Sequence, residues 1–147
     1  IKAQNDGFGW DRIENVLWRI YHGELEHFNG KNIVMMIGTN NLGINSDEEI
    51  VEGLQFLINA IKDRKPSAKI IMAGILPRKK MEEEVKAINQ KIKKMSLQNH
   101  IVFVDFGKDF LSGNVVNPKL FISDGLHPNA DGYEVLGKDL IKVLARK

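Results

Sequence analysis

Near the C-terminus, Asp124-Gly125-Leu126-His127-Pro128-Asn129 sets a carboxylate and an imidazole three residues apart. An imidazole that takes a proton from a hydroxyl needs an anion at its other nitrogen, which fixes the tautomer and stabilises the imidazolium. Asp124 and His127 can supply that pair. The same six residues also read as a helix start, with the aspartate as cap and the proline in the first turn. A second candidate is Gly38-Thr39-Asn40-Asn41, where the glycine permits a tight turn and the amide of Asn40 can donate to a developing oxyanion. Asn and Gly are equally ordinary turn residues. On one edge of one sheet the two segments would face a common crevice and point to acyl transfer. The nucleophile is missing: none of Ser46, Ser67, Ser96, Ser112 and Ser123 stands in a recognisable nucleophile setting.

The elements that must position these groups follow from apolar spacing. From Asp11 onward, Ile13, Val16, Leu17 and Ile20 recur at helical intervals, and Gly23 loosens the helix end. Residues 32–37 form a nearly continuous apolar run closed by Gly38, the pattern of a central parallel strand buried on both faces. Ser46 and Glu49 make a capping box for a helix reaching about Arg64, with Ile50, Leu54, Leu57, Ile58 and Ile61 as its stripe. After Pro66, residues 69–76 repeat the buried-strand pattern until Pro77 stops it. Met81, Val85, Ile88, Ile92 and Met95 line another helix, and residues 101–105 form a third strand. A loop rich in Gly, Asn and Pro follows. The stripe Tyr133, Leu136, Leu140, Val143 and Leu144 marks a last helix. Strands alternating with helices require right-handed crossovers, hence a three-layer α/β domain with a parallel sheet between helices. Ligands in such sheets lie beyond the strands' carboxyl ends, where both candidate segments fall.

Composition narrows the function classes. With 147 residues and 43% hydrophobic content the chain suits one globular domain, residues 1–147, without internal repeats. A formal charge of +2, spread rather than blocked, gives no sign of a nucleic-acid partner. No apolar run approaches the roughly 18 residues of a membrane span. The absence of cysteine excludes disulfides and thiolate sites and fits a reducing or an oxidising compartment. His22, His27, His100 and His127 lack metal-ligand spacing, and the lysines at 79, 80, 91, 93 and 94 read as solvated surface. Trp18 and Tyr21 read as packing or interface residues. Gly7-Phe8-Gly9 is followed by Arg12 where a dinucleotide fingerprint needs its third glycine. Gly38 and Gly43 have phosphate-loop spacing but lead into Ile44 and Asn45. Neither nucleotide reading survives, although backbone N–H groups before the first helix can still serve an oxyanion.

Four ordered segments carry a resemblance that covers nearly the whole chain. They are Asn5-Asp6-Gly7-Phe8-Gly9-Trp10-Asp11 with the following Arg12-Ile13-Glu14-Asn15-Val16-Leu17-Trp18-Arg19-Ile20, then Ile37-Gly38-Thr39-Asn40-Asn41, Gly74-Ile75-Leu76-Pro77-Arg78, and the segment from Asp124 to Asn129. In these the chain resembles the SGNH (GDSL-type) hydrolase superfamily, and within it the platelet-activating-factor acetylhydrolase type of catalytic subunit and its bacterial relatives. The resemblance implies a flavodoxin-like fold and a serine esterase that needs no cofactor. Its substrate would be an O-acyl ester of a lipid, a carbohydrate or another small molecule, with a short acyl group such as acetyl released. It makes His127 the general base, Asp124 its orienting carboxylate and Asn40 an oxyanion donor. The second donor, a glycine N–H in the family, falls at Trp10, where a glycine-only backbone conformation would exclude an indole side chain. The family's Gly-Asp-Ser block, which follows the first strand, has no match. Strand one, the nucleophile and the first helix are therefore expected upstream of Ile1, and the chain alone is expected to be inactive. A sheet without its first strand exposes an edge that invites a second chain, so a homodimer is expected. A non-catalytic binding or interaction module that keeps the fold is the alternative.

Overall fold

The structure, a computed structural model, describes residues 3–145. These form two compact units, each described by itself: residues 3–30 with Ile37–Ala68, and Lys31–Met36 with residues 69–145. None of the helices among the described residues is long and apolar enough to cross a membrane.

The first unit is built on two helices, α1 (Ile13–Tyr21) and α2 (Asp47–Arg64). The expected capping box opens α2: the Ser46 hydroxyl accepts from the Glu49 N–H at 3.2 Å, and the Glu49 carboxylate accepts from the Ser46 N–H at 2.8 Å. Three acidic residues, Asp47, Glu48 and Glu49, occupy its first turn and Lys62 and Arg64 its last, each at the favourable end of the helix dipole. Ile50, Leu54, Leu57, Ile58 and Ile61 are all buried, as their spacing requires. Gly53 lets α1 approach closely, since a Cβ there would stand 3.0 Å from Ile13 Cγ2. Trp18 and Tyr21 lie outside the core: Trp18 stacks on His22 with ring centroids 3.9 Å apart, and the Arg64 guanidinium covers Tyr21.

The second unit holds a parallel sheet of β1 (Asn32–Met35), β2 (Lys69–Ala73) and β3 (Val102–Val104) in the order β1-β2-β3. Ile33 pairs with Ile70, and Ile71 with Val102. All three strands are shorter than their apolar runs. The run at residues 32–37 supplies β1, which among the described residues pairs with β2 alone. Among the described residues β1 is an edge of the sheet, and Val34 is 38% exposed. The centre is β2, buried on both faces at Ile70, Ile71, Met72 and Ala73. Helix α3 (Glu82–Gln98) buries Val85, Ile88, Ile92 and Met95 and packs on β3. Helix α4 (Ala130–Ala145) brings Leu136, Leu140, Val143 and Leu144 onto a cluster that contains Ile71, Ala73, Phe106, Phe110 and Phe121. Tyr133, expected in that stripe, is 59% exposed. The loop before it contains unforeseen structure: a 3-10 turn at Gly107–Phe110 and a small antiparallel ribbon of β4 (Leu111–Ser112) and β5 (Val115–Val116).

Candidate active site

In the second unit the segment between β5 and α4 folds so that Asp124 and His127 meet. Asp124 Oδ2 lies 2.6 Å from His127 Nδ1. The other carboxylate oxygen accepts the Leu126 and His127 backbone N–H groups at 2.8 and 3.0 Å. These bonds hold the carboxyl of Asp124 well below its ordinary range, at about 2, the side-chain bond to His127 contributing most and the two N–H donors next. With Nδ1 turned to the anion, Nε2 is the outward ring nitrogen, the atom a general base uses. The His127 side chain is 62% exposed.

The segment is fixed from several sides. Gly125 sits at φ 64 and donates to the Ile122 carbonyl, while its own carbonyl accepts from the Lys79 N–H, both at 3.0 Å. A side chain at Gly125 would meet Lys79 Cβ at 2.6 Å. The Ile122 N–H donates to the His127 carbonyl at 2.9 Å. The competing view of Asp124 as a helix cap is corrected by Asn129, whose Oδ1 accepts from the Gly132 N–H at 3.0 Å at the start of α4. Asn129 Nδ2 donates to the Lys119 carbonyl at 2.8 Å and the Phe121 carbonyl at 3.3 Å. The cap is thus taken by a residue five positions later, which leaves Asp124 to the imidazole.

In the first unit Asn40 leaves a turn that begins at Gly38, where φ is 118. Its Nδ2 donates one hydrogen to the Asp11 carbonyl at 2.9 Å, which fixes the amide plane and leaves the second hydrogen of the NH2 group to aim elsewhere. Trp10 stands beside that carbonyl at φ 65 with 90% of its surface exposed. The backbone therefore takes the left-handed turn that glycine usually supplies, at about 1–2 kcal/mol for a residue with a Cβ. Asn41 is 3% exposed and caps α1 across 28 positions: its Oδ1 accepts from the Ile13 N–H at 3.1 Å, and its Nδ2 donates to Glu14 Oε2 and Asn45 Oδ1, each at 3.0 Å. The Arg19 guanidinium grips both oxygens of Asp11 at 3.0 and 2.7 Å, donates from Nε to Glu24 at 2.6 Å and lies 4.6 Å from the centre of the Phe8 ring. The bond to Asp11, followed by that to Glu24, raises the pKa of Arg19 despite its partial burial.

The predicted site residues thus fall into two local arrangements, Asp124 with His127 and Asn40 with the turn at Trp10. Sequence spacing gave no role to Arg19, Asp11, Asn41 or Asn129. Only an Asp and an Arg eight positions apart and an Asn one step beyond Pro128 hint at them. Two of the serines are bound into local structure: Ser46 caps α2, and the fully buried Ser96 hydroxyl donates to the Ile92 carbonyl at 2.8 Å. No cluster of three acidic or imidazole side chains suited to a metal ion occurs among the described residues. His22, His27 and His100 are on the surface.

Comparison with known proteins decides the family. The model of the GDSL-like lipase/acylhydrolase family matches residues 2–135. The chain belongs to that family. This GDSL-like chain is 34% identical over 151 aligned residues to the platelet-activating factor acetylhydrolase IB subunit alpha2 of Rattus norvegicus, covering 98% of the chain and 65% of the relative. It is 29% identical to the alpha1 subunit of Bos taurus, with 99% and 65% covered. The chain thus spans just under two thirds of the length of these curated relatives. A carbohydrate esterase family 3 structure from Talaromyces cellulolyticus superposes with a TM-score of 0.78 at 21% identity, over 97% of this chain and 72% of that one. The flavodoxin-like α/β fold of the SGNH hydrolases is therefore the fold of this GDSL-like chain.

Proposed function

We propose that this GDSL-like chain carries the base and the oxyanion donors of a serine carboxylic-ester hydrolase that releases a short acyl group such as acetyl. Its attacking serine stands in a Gly-Asp-Ser block outside these 147 residues. The observation that carries the proposal is the 2.6 Å bond between His127 Nδ1 and the Asp124 carboxylate, which supports a proton-transfer role for Nε2. In this mechanism Nε2 takes the serine proton as the hydroxyl oxygen attacks the acyl carbon. Asn40 Nδ2 and the Trp10 N–H donate to the carbonyl oxygen as it becomes an oxyanion. The tetrahedral adduct collapses, the alcohol leaves with the proton held at Nε2, and a water repeats the sequence to free the acid and the serine. Asp124 stays ionised throughout and balances the imidazolium. The curated relatives are named acetylhydrolases and the superposed structure a carbohydrate esterase, which supports an O-acyl ester of a lipid or a carbohydrate as substrate. A homodimer is a companion proposal, and sedimentation of the protein from its complete reading frame tests it.

Turnover of a chromogenic acetyl ester by the protein expressed from its complete reading frame tests the mechanism. His127→Ala should lower kcat by about 10^6, Asp124→Asn by about 10^4 and Asn40→Ala by roughly 10^2–10^3. Undiminished kcat in His127→Ala would remove the imidazole from the mechanism. A non-catalytic binding module is the second reading, favoured by the engagement of Ser46 and Ser96 in structural bonds. Acetyl-ester turnover by the complete protein that depends on His127 rejects it.

A further inference from the structure

We propose that Arg19 is the positioning residue of the oxyanion donors, holding the turn at residues 8–11 so that the N–H groups of Trp10 and Asn40 keep one geometry. The catalytic consequence rests on the esterase function proposed above, whereas the clamp itself does not. A single guanidinium touches the chain on both sides of Trp10: its face covers the Phe8 ring at 4.6 Å, and its fork holds both Asp11 oxygens at 3.0 and 2.7 Å. Glu24, just past the end of α1, accepts from the remaining Nε at 2.6 Å and fixes the fork from that side. The side chains of Arg19, Asp11 and Glu24 are 20%, 13% and 14% exposed, so the three charges meet in a partly dry setting where geometry is retained.

The turn needs such a clamp. Trp10 adopts φ 65 while its indole stays 90% exposed, so its own side chain contributes little packing to hold a conformation that residues with a Cβ resist. The constraint must come from its neighbours, and Arg19 binds two of them. The clamp also reaches Asn40, because the carbonyl that accepts from Asn40 Nδ2 at 2.9 Å belongs to Asp11, the residue whose carboxylate Arg19 grips. A shift of the Asp11 peptide therefore turns the Asn40 amide and the Trp10 N–H together. Lysine cannot replace the fork, since an ammonium is a point charge without bidentate geometry or a planar face for the Phe8 ring.

The test is the side-chain amide of Asn40 in the 15N-labelled chain, assigned by its loss in Asn40→Asp. Its two protons should be resolved, the one bonded to Asp11 being the more slowly exchanging. In Arg19→Lys, whose folding is checked by circular dichroism and its urea midpoint, that exchange should accelerate about tenfold or more. In the protein from the complete reading frame Arg19→Lys should lower kcat roughly 10- to 100-fold with KM within about twofold. Combined with Asn40→Ala it should add less than it costs alone, because the Asn40 share of its effect is already lost and only the Trp10 N–H is left to displace. Unchanged Asn40 exchange in a folded Arg19→Lys protein, or equal loss in kcat and KM, overturns the clamp. An inactive complete protein with accelerated Asn40 exchange in Arg19→Lys overturns the esterase function and leaves the clamp standing.

Discussion

Replacing Asn89 with alanine should destabilise the second unit by about 2–6 kcal/mol, because one side chain satisfies both backbone groups of Ile75. Asn89 Oδ1 accepts from the Ile75 N–H and Asn89 Nδ2 donates to the Ile75 carbonyl, each at 2.8 Å. Ile75 is 2% exposed and lies just past the end of β2, where the ladder no longer supplies partners. Truncation leaves a buried donor and a buried acceptor without partners, each costing about 1–3 kcal/mol. Leucine at this position should give no rescue, since it fills the space without restoring either bond. Aspartate separates the two halves of the clasp. Ionised, it can still accept from the Ile75 N–H but faces the carbonyl with a second oxygen. Protonated, it can donate to that carbonyl. Its folded-state pKa should therefore rise above the unfolded value of about 3.9. The stability that its proton confers should be fully present below that unfolded value and be lost as pH rises through the folded one. Urea unfolding followed by circular dichroism, with hydrogen exchange of the Ile75 amide as the local probe, measures both effects. A loss below about 0.5 kcal/mol in Asn89→Ala with Ile75 still protected would refute the assignment.

Asn41→Ala should cost about 2–4 kcal/mol in urea unfolding, since it orphans the buried Ile13 N–H and frees Glu14 and Asn45, and Asn41→Asp should retain part of the cap. Gly132→Ala should be among the most damaging single-methyl changes in the chain, because the new Cβ would lie 2.2 Å from the Leu120 carbonyl oxygen, and a fall in melting temperature checks it. Asp124 should titrate at about 2 in a carboxyl-carbon NMR experiment, and His127→Ala should move that midpoint up toward 3.8. The sign for stability follows: a depressed carboxyl stabilises the fold above its unfolded pKa of 3.8, and this contribution should disappear as pH falls from there through about 2.

The features legible in the sequence are those whose partners lie within one turn or one helical repeat. The Ser46 and Glu49 box, the stripe of α2 and the contact between Asp124 and His127 span three or four positions, and each forms as its spacing requires. Strand β1 was legible as a strand from its apolar run, which reports β propensity and says nothing of how many neighbours the strand gains. The ribbon of β4 and β5 escaped notice because two-residue strands carry no measurable alternation, and Gly113 at φ 66 marks only a turn. Longer-range polar bonds were invisible. Asn41 finds Ile13 across 28 positions and Asn89 finds Ile75 across 14, and nothing local distinguishes either asparagine from a surface one, save that Asn89 adjoins Ile88 on a buried helix face. Trp10 was expected to resist a glycine conformation. It instead adopts a left-handed one that a side chain tolerates at modest cost, flanked by residues that Arg19 holds.

Intact-mass spectrometry after brief exposure to an activated acetyl ester tests the central claim most directly. The 147-residue chain should take up no acetyl group. The protein from the complete reading frame should take up one, on a serine in a Gly-Asp-Ser block, and should lose that uptake in His127→Ala. Acetylation of Ser46, Ser67, Ser96, Ser112 or Ser123, or a complete protein that never acquires an acetyl group, would contradict it.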